Sequence, residues 1–176
     1  MRTAVDLLSQ YAQSHRDRRN IVSHFIGVPM VVFSVGVLLA RPEFALPSGT
    51  TLTPAWMLFA LAAAWYVTRG ELVLGLAVSV EIAALVWAGQ RVAQGSVASW
   101  LVWGLGFFVV GWVIQFVGHW YEGKKPAFTN DLVGLLVGPM FVSAEGMFML
   151  GWNRPLQQSI ERRAGPTMLR DMARIA

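Results

Sequence analysis

Long apolar stretches separated by short charged links dominate the hydrophobic pattern of the chain. A membrane-spanning helix needs about 20 mostly apolar residues, and we predict four such spans, at residues 20–40, 46–68, 72–89 and 92–118. A fifth apolar stretch, residues 132–150, contains Gly138, Pro139 and Glu145. Because proline interrupts a helix, we predict that this stretch is broken or re-entrant, with a turn at Gly138 and Pro139.

The N-terminal residues have a different pattern. Residues 3–16 place Val5, Leu8 and Ala12 on one face at helical spacing, which predicts a short interfacial helix. A polar break at residues 17–19 follows, with Asn20 as the N-cap of the first span. The predicted fold class is therefore an all-α integral membrane protein, a bundle of four spanning helices plus the fifth segment and the interfacial helix.

Two units are expected along the chain. Residues 1–153 form a single membrane domain, and residues 154–176 form a basic cytoplasmic tail. The alternation of Arg with Ile, Leu and Met in the tail fits either a second surface helix or a frayed end.

Composition narrows the class of protein. Of 176 residues, 55% are hydrophobic and 14% are charged, and the net charge is +4. Soluble domains carry about 25% charged residues, so a water-soluble globule is excluded, and no basic run is long enough for a nucleic-acid partner. The chain has no cysteine, which removes disulfides and thiolate metal ligands.

Basic residues orient the predicted spans. Seven lie in links on one side (Arg2, Arg16, Arg18, Arg19, Arg69, Lys124 and Lys125), whereas only Arg41 and Arg91 lie on the other. The positive-inside rule then places the N-terminus in the cytoplasm of a multi-pass protein. Since we recognise no sorting signal, we expect the bacterial inner membrane rather than the endoplasmic reticulum.

The histidines are the candidate chemistry. All three, His15, His24 and His119, fall at the predicted cytoplasmic end, and a break before Asn20 would let His15 fold back towards His24. One helical face carries Gln115, His119 and Glu122. Imidazole and carboxylate suit Fe(II), Zn or Mn, so we predict one shared metal site.

Other polar residues suggest supporting roles. Positions beside the ligands are expected at Asn20, Gln115 and Glu145. Glu81, near the middle of the third span, is expected to be a polar tether to a neighbouring helix. Arg19 and Lys124 would suit the carboxylate of an anionic lipid arriving at the membrane surface.

Several motifs together resemble the 2-hydroxy fatty acid dioxygenase family of small membrane proteins. They are Tyr11-x-x-x-His15, Asn20-x-x-x-His24-x-x-Gly27-x-Pro29, Gln115-Phe116-x-Gly118-His119-x-x-Glu122-x-x-x-Pro126-Ala127 and Pro139-x-Phe141-x-x-x-Glu145. The resemblance covers both ends of the region from about residue 5 to 150, and the middle matches only as hydrophobic spans.

The resemblance implies an activity and its residues. The activity is Fe(II)-dependent oxidation by O₂ of a long-chain 2-hydroxy fatty acid to the acid one carbon shorter. By position, His15, His24 and His119 would be the required residues and the metal ligands. Glu122 would be either a fourth ligand or a catalytic base.

Three other functions remain open from the sequence. A haem-binding bundle would use His24 and His119 as axial ligands. A non-catalytic scaffold or transporter would instead place Glu81 and Glu145 along a path through the membrane. A zinc-dependent intramembrane hydrolase would use ligands like those of the iron site.

Overall fold

The structure, a computed structural model, describes residues 2–47, 49, 51–127 and 131–172. It is a helical bundle with one short hairpin. The helices are α1 (Ala4–Ala12), α2 (Arg18–Leu39), α3 (Pro54–Val67), α4 (Leu72–Ala93), α5 (Val97–Leu101), α6 (Phe107–Glu122), α7 (Gly134–Met149) and α8 (Arg154–Ala164). The hairpin strands are β1 (Phe44–Ala45) and β2 (Thr51–Leu52), and a π-helical turn, Val102–Gly106, joins α5 to α6.

Three helices in the described residues are long and apolar enough to cross a membrane: α2, α4 and the continuous helix Val97–Glu122. The second predicted span is shorter than expected, because the hairpin occupies its first residues and α3 begins at Pro54. With 14 residues, α3 is about 21 Å long, less than the roughly 30 Å of hydrocarbon. The arrangement of four spans therefore stays a prediction.

Contacts at the two ends of the bundle give the helix directions. At one end, the Ala4 amide donates to the carbonyl of Arg69, which follows α3. At the other end, the Trp100 indole donates to the carbonyl of Val37, and Arg41 donates to that of Ala93. Helices α2, α3, α4 and α6 therefore alternate in direction. The start of α2 and the end of α6 both lie beside α1, at what we call the α1 end.

Glycines allow α2 and α6 to pack closely. A Cβ on Gly27 would lie 2.6 Å from Cγ of Gln115, and one on Gly118 would collide with the side chains of Ser23 and Asn20. A larger residue at either position would push the two helices apart. This close packing brings the first turns of α2 against the last turns of α6.

Helix α7 corrects the prediction of a break. It is one continuous helix that contains Pro139, so the chain does not turn at Gly138 and Pro139. Pro139 is its sixth residue, and the proline removes one backbone hydrogen bond, the one to the carbonyl of Leu135. Both flanks of α7 are held at the α1 end, where Lys124 donates to the Gln13 carbonyl and Asn153 donates to Glu71.

Side chains also join α7 to the bundle. The Tyr66 hydroxyl donates to the carbonyl of Leu136 at 2.8 Å. The Ser143 hydroxyl donates to the carboxylate of Glu81, which confirms the prediction that Glu81 tethers α4 to a neighbouring helix.

The N-terminal helix is present, but its end and the next cap differ from the prediction. Helix α1 ends at Ala12, and residues 13–17 form a non-helical link to α2. Asp17 rather than Asn20 caps α2, because its side chain accepts a hydrogen bond from the Arg19 amide at 2.8 Å. Leu8 and Ala12, on the predicted apolar face, are buried. Helix α1 packs against α7 and α8, so its apolar face is covered by protein.

The residues expected to form a separate tail pack on the rest of the protein. Leu156 and Ile160 of α8 lie in the same core as the apolar face of α1. Residues 165–170, which we call the C-terminal strap, follow α8, and there Met168 pairs with the chain on both sides of Asp17. Arg174 and the other residues after 172 lie outside the described part of the chain.

Candidate metal centre

Three elements bring the histidines together. His15 lies in the link between α1 and α2, His24 in the second turn of α2 and His119 in the last turn of α6. All three are buried, with ring centroids 4.5 Å (His15 to His24), 4.7 Å (His15 to His119) and 5.1 Å (His24 to His119) apart. One ring nitrogen from each lies within 4.8 Å of the others. We call this cluster the histidine triad.

Backbone carbonyls fix the tautomers of two rings. Nδ1 of His15 lies 2.7 Å from the Tyr11 carbonyl, and Nδ1 of His24 lies 2.9 Å from the Asn20 carbonyl. A carbonyl only accepts, so each Nδ1 carries the proton and each Nε2 of a neutral ring carries a lone pair. These two Nε2 atoms lie 3.1 Å apart. Facing lone pairs at that distance need a proton or a cation between them.

His119 completes the set from the opposite ring atom. Its buried Nδ1 has no hydrogen-bond partner among the described residues, which leaves the lone pair of that atom available to a metal ion. The imidazoles of His15 and His24 are thus each held by a backbone carbonyl on one side. Metal-ligating histidines commonly have this arrangement, because the outer hydrogen bond orients the ring.

Burial also sets the charge of His15. It lowers the pKa of His15 well below the ordinary value, and the neighbouring rings of His24 and His119 lower it further. His15 is therefore neutral at physiological pH, which is the state that binds a metal ion.

Glu122 does not lie where a ligand was expected. Its carboxylate accepts hydrogen bonds from the amides of Arg16 (2.9 Å) and Asp17 (2.7 Å) and from the side chain of Asn20 (3.2 Å). The carboxylate is thus used to hold the link that carries His15 and the first turn of α2 against α6. The structure gives Glu122 a positioning role, and its carboxylate is not part of the triad.

Asn20 and Gln115 lie beside the triad. The Asn20 carbonyl binds His24, and its side chain donates to the carbonyl of Ser14 as well as to Glu122. Gln115 is buried one turn before His119 and lines a small space with His24 and His119. Its amide donates to the carbonyl of Gly111 in its own helix.

Glu145 contacts Arg16, the residue after His15, and not a histidine ring. Its carboxylate pairs with the buried guanidinium of Arg16 at 3.3 Å. Arg16 also donates to the carbonyls of Ala12, His15 and Gly165. Glu145 therefore neutralises the cation next to His15 rather than bonding to a ring.

The two basic residues expected to bind a substrate carboxylate have internal partners. Arg19 pairs with Asp17 at 2.7 Å, donates to the Arg170 carbonyl, and stacks on Tyr121. The hydrogen bond from Arg19 lowers the pKa of Asp17 to about 2. Lys124 donates to the carbonyl of Gln13 at 2.6 Å. The structure thus uses both cations to fasten the links around the triad.

Two parts of the site, an aromatic pair and the C-terminal strap, were not predicted as site residues. Tyr11 stacks on His15, with ring centroids 4.0 Å apart and planes within 7°, and Phe141 packs on both rings. The spacing of Tyr11 four residues before His15 was the available signal. The strap was the other omission, because pairing between residues about 150 positions apart has no local sequence signature.

Comparison with known proteins gives the family of the chain. A family model described as 2-hydroxy-palmitic acid dioxygenase Mpo1-like matches residues 1–150. The chain belongs to the Mpo1-like family. A relative of this Mpo1-like chain, 2-hydroxy-palmitic acid dioxygenase MPO1 of Saccharomyces cerevisiae, is 28% identical over 162 residues, covering 89% of this chain and 88% of the yeast protein. No solved structure matches the chain.

Proposed function

We propose that this protein is an Fe(II)-dependent dioxygenase that converts a long-chain 2-hydroxy fatty acid to the fatty acid one carbon shorter. The observation that carries the proposal is the buried histidine triad, with one metal-facing nitrogen on each ring. The yeast relative, named as a 2-hydroxy-palmitic acid dioxygenase, supports the substrate class.

The donor set fits a metal ion. One cation held by His15, His24 and His119 would satisfy the unpartnered Nδ1 of His119 and the facing Nε2 atoms of the other two rings. With no cysteine in the chain, the donors are imidazoles, which suit iron or zinc. Three protein ligands also leave positions for substrate, as in catalytic metal sites generally.

The reaction balances without another reductant. A 2-hydroxy acid and one O₂ give the shortened acid, CO₂ and water, because the substrate supplies all four electrons. When bound, Fe(II) supplies the redox chemistry with O₂ and open positions for the substrate carboxylate and hydroxyl.

The surrounding residues have three tasks. Backbone carbonyls hold the protons of the imidazoles away from the centre of the triad. Glu122 holds the His15 link in register with α6. Tyr11 and Phe141 cover His15 with aromatic surface, which keeps bulk water from the site.

The packing of the triad disfavours the haem alternative. A porphyrin would have to pass between His24 and His119, but their centroids lie 5.1 Å apart and His15 packs against both. The transporter alternative is also disfavoured, since Glu81 is bound by Ser143 and Glu145 pairs with Arg16.

We further propose that the α1 end faces the cytoplasm of a bacterial inner membrane. Support comes from the charge distribution, because Arg16, Arg18, Arg19 and Lys124 all belong to this end. Cysteine labelling with a membrane-impermeant reagent at Gln13 and at Glu43 would test the orientation.

The test of the activity is direct. Purified protein loaded with Fe(II) anaerobically should consume one O₂ per 2-hydroxypalmitate and release pentadecanoate and CO₂. Zinc-loaded protein is the matched control and should release neither product. Absence of turnover in protein with a full complement of iron would overturn the proposal, and hydrolysis of a lipid by the zinc form would favour the hydrolase instead.

A further inference from the structure

An apolar cavity of about 540 Å³ lies among α2, α3, α4, α6 and α7. Its walls are aliphatic and aromatic, and Leu58, Phe108 and Leu135 on its lining are partly exposed. These exposed walls belong to helices on the outside of the bundle, so the cavity opens towards the surrounding hydrocarbon. Nothing in the triad itself requires an apolar space of this size.

Two smaller spaces lie between the cavity and the triad and share walls with the cavity and with each other. The first, of about 50 Å³, shares Val31, Val32 and Trp112 with the large cavity and is also lined by Tyr11 and Gln115. The second, of about 10 Å³, is lined by Tyr11, Trp112 and Gln115 together with His24 and His119. Trp112 borders all three spaces. These shared walls form a neck between the cavity and the rings of His24 and His119.

Two helices each carry a row of lining residues that runs from the triad to the far end of the cavity. On α6, His119, Gln115, Trp112 and Phe108 succeed one another at helical spacing, and on α2 the lining runs from His24 to Val35. Each path covers 11 residues, which is about 16 Å. That is the scale of an extended long acyl chain.

We propose that this cavity binds the acyl chain of the substrate, with its carboxyl end at the triad, and that Val35 and Phe108 at the far end set the longest chain accepted. The inference rests on the proposed function for the identity of the head group. The occupant follows from the shared walls that lead from the cavity to the triad and from the apolar lining of the cavity, since a metal-binding head attached to a long apolar tail fits both.

A bulky residue at the far end tests the proposal. Val35→Phe would remove space that the last methylenes need, while leaving the triad and the neck unchanged. Burial of one methylene changes affinity about fourfold, so the ratio of kcat/KM for 2-hydroxypalmitate over 2-hydroxydecanoate should fall at least tenfold. Phe108→Ala should shift the ratio towards longer chains. Val80→Phe, on the exposed face of α4, is the matched control and should not change it.

A binding measurement separates this inference from the activity. A long-chain 2-hydroxy acid with a diazirine next to its terminal methyl should label α2 near Val35 and α6 near Phe108 in metal-loaded protein, and Val35→Phe should abolish that labelling. Labelling spread over the outer helix faces and unaffected by Val35→Phe would overturn the inference, as would an unchanged chain-length preference in an active variant. Specific labelling without any turnover would support the cavity and reject the proposed reaction. Displacement of the probe by a phospholipid but not by an unlabelled 2-hydroxy acid would identify the cavity as a general lipid site. That result would overturn the assignment.

Discussion

The carboxylate of Glu122 accepts a hydrogen bond from the Asp17 amide at 2.7 Å. This contact joins α6, which carries His119, to the link that carries His15. The same carboxylate binds the Arg16 amide and Asn20. The Glu122 side chain thus holds together all three elements that supply the triad. The close approach of the three histidine rings depends on these contacts.

Glu122→Gln should weaken metal binding without removing a ligand. The amide NH₂ of Gln would face backbone N–H donors, so at least one of them would lose its partner. Loss of such an outer contact typically costs 10- to 100-fold in metal affinity, measurable by competition with a chelator. Glu43→Gln, at an exposed position, is the control. X-ray absorption of the iron-loaded variant should show unchanged nitrogen ligation, and a lost oxygen ligand would show that Glu122 binds the metal after all.

Gly118→Ala should separate α2 from α6. Its Cβ would collide with Ser23 and Asn20, and overpacking of this kind costs about 1–3 kcal/mol. We expect a lower melting temperature and weaker metal binding with all three histidines intact. Gly106→Ala has open space around the added methyl and should behave like the parent protein. If both variants bound metal equally well, close packing would not be what brings His24 to His119.

Removal of the strap should loosen the His15 link. Met168 exchanges backbone hydrogen bonds with Arg16 and Arg18, and Arg170 donates to the Glu122 carbonyl at 2.8 Å. Deletion of residues 166–176 should therefore accelerate hydrogen exchange of the Arg18 amide and lower metal affinity. Amides in the middle of α4 provide the internal control. Unchanged exchange at Arg18 would mean that the strap contributes nothing to the site.

The metal-free protein should lose stability as the pH falls. Because the pKa of His15 is lower in the folded protein than the ordinary value of about 6.5, the unfolded chain binds more protons below that pH. The contribution of neutral His15 to the stability of the folded protein is therefore present above pH 6.5 and is lost as the pH falls towards the pKa of His15 in the folded protein. Asp17, with a pKa of about 2, stays ionised in this range. Thermal unfolding in detergent at pH 7.5 and 5.5 should show the loss, and His15→Gln should reduce the dependence. A pH-independent melting temperature in the parent would contradict the burial of a neutral His15.

The sequence predicted most of the helices and the convergence of the histidines. Hydrophobic length located α2, α4 and α6, and the positions of His15, His24 and His119 relative to those helices placed them at one end. These features depend on local composition, which single-sequence patterns describe well.

The features that the sequence did not show come from interactions between distant residues. The sequence pattern could not show that Glu122 accepts hydrogen bonds from the Arg16 and Asp17 amides in the link between α1 and α2. A carboxylate one turn from a histidine is equally suited to binding a metal. Pro139 was predicted to mark a turn together with Gly138, but α7 continues through it with the loss of one backbone hydrogen bond. The partners of Arg19 and Lys124 likewise depend on tertiary packing, with Arg170 and Gln13 as the distant contacts.

The most direct test of the central claim is the metal content of the purified protein together with the ligands of the ion. After anaerobic loading and gel filtration, the account predicts one iron per chain, bound by three imidazole nitrogens in X-ray absorption. Single replacements of His15, His24 and His119 by Ala should each reduce the bound iron while the helical circular dichroism is retained. Iron that stays bound at one per chain when all three histidines are replaced would contradict the account.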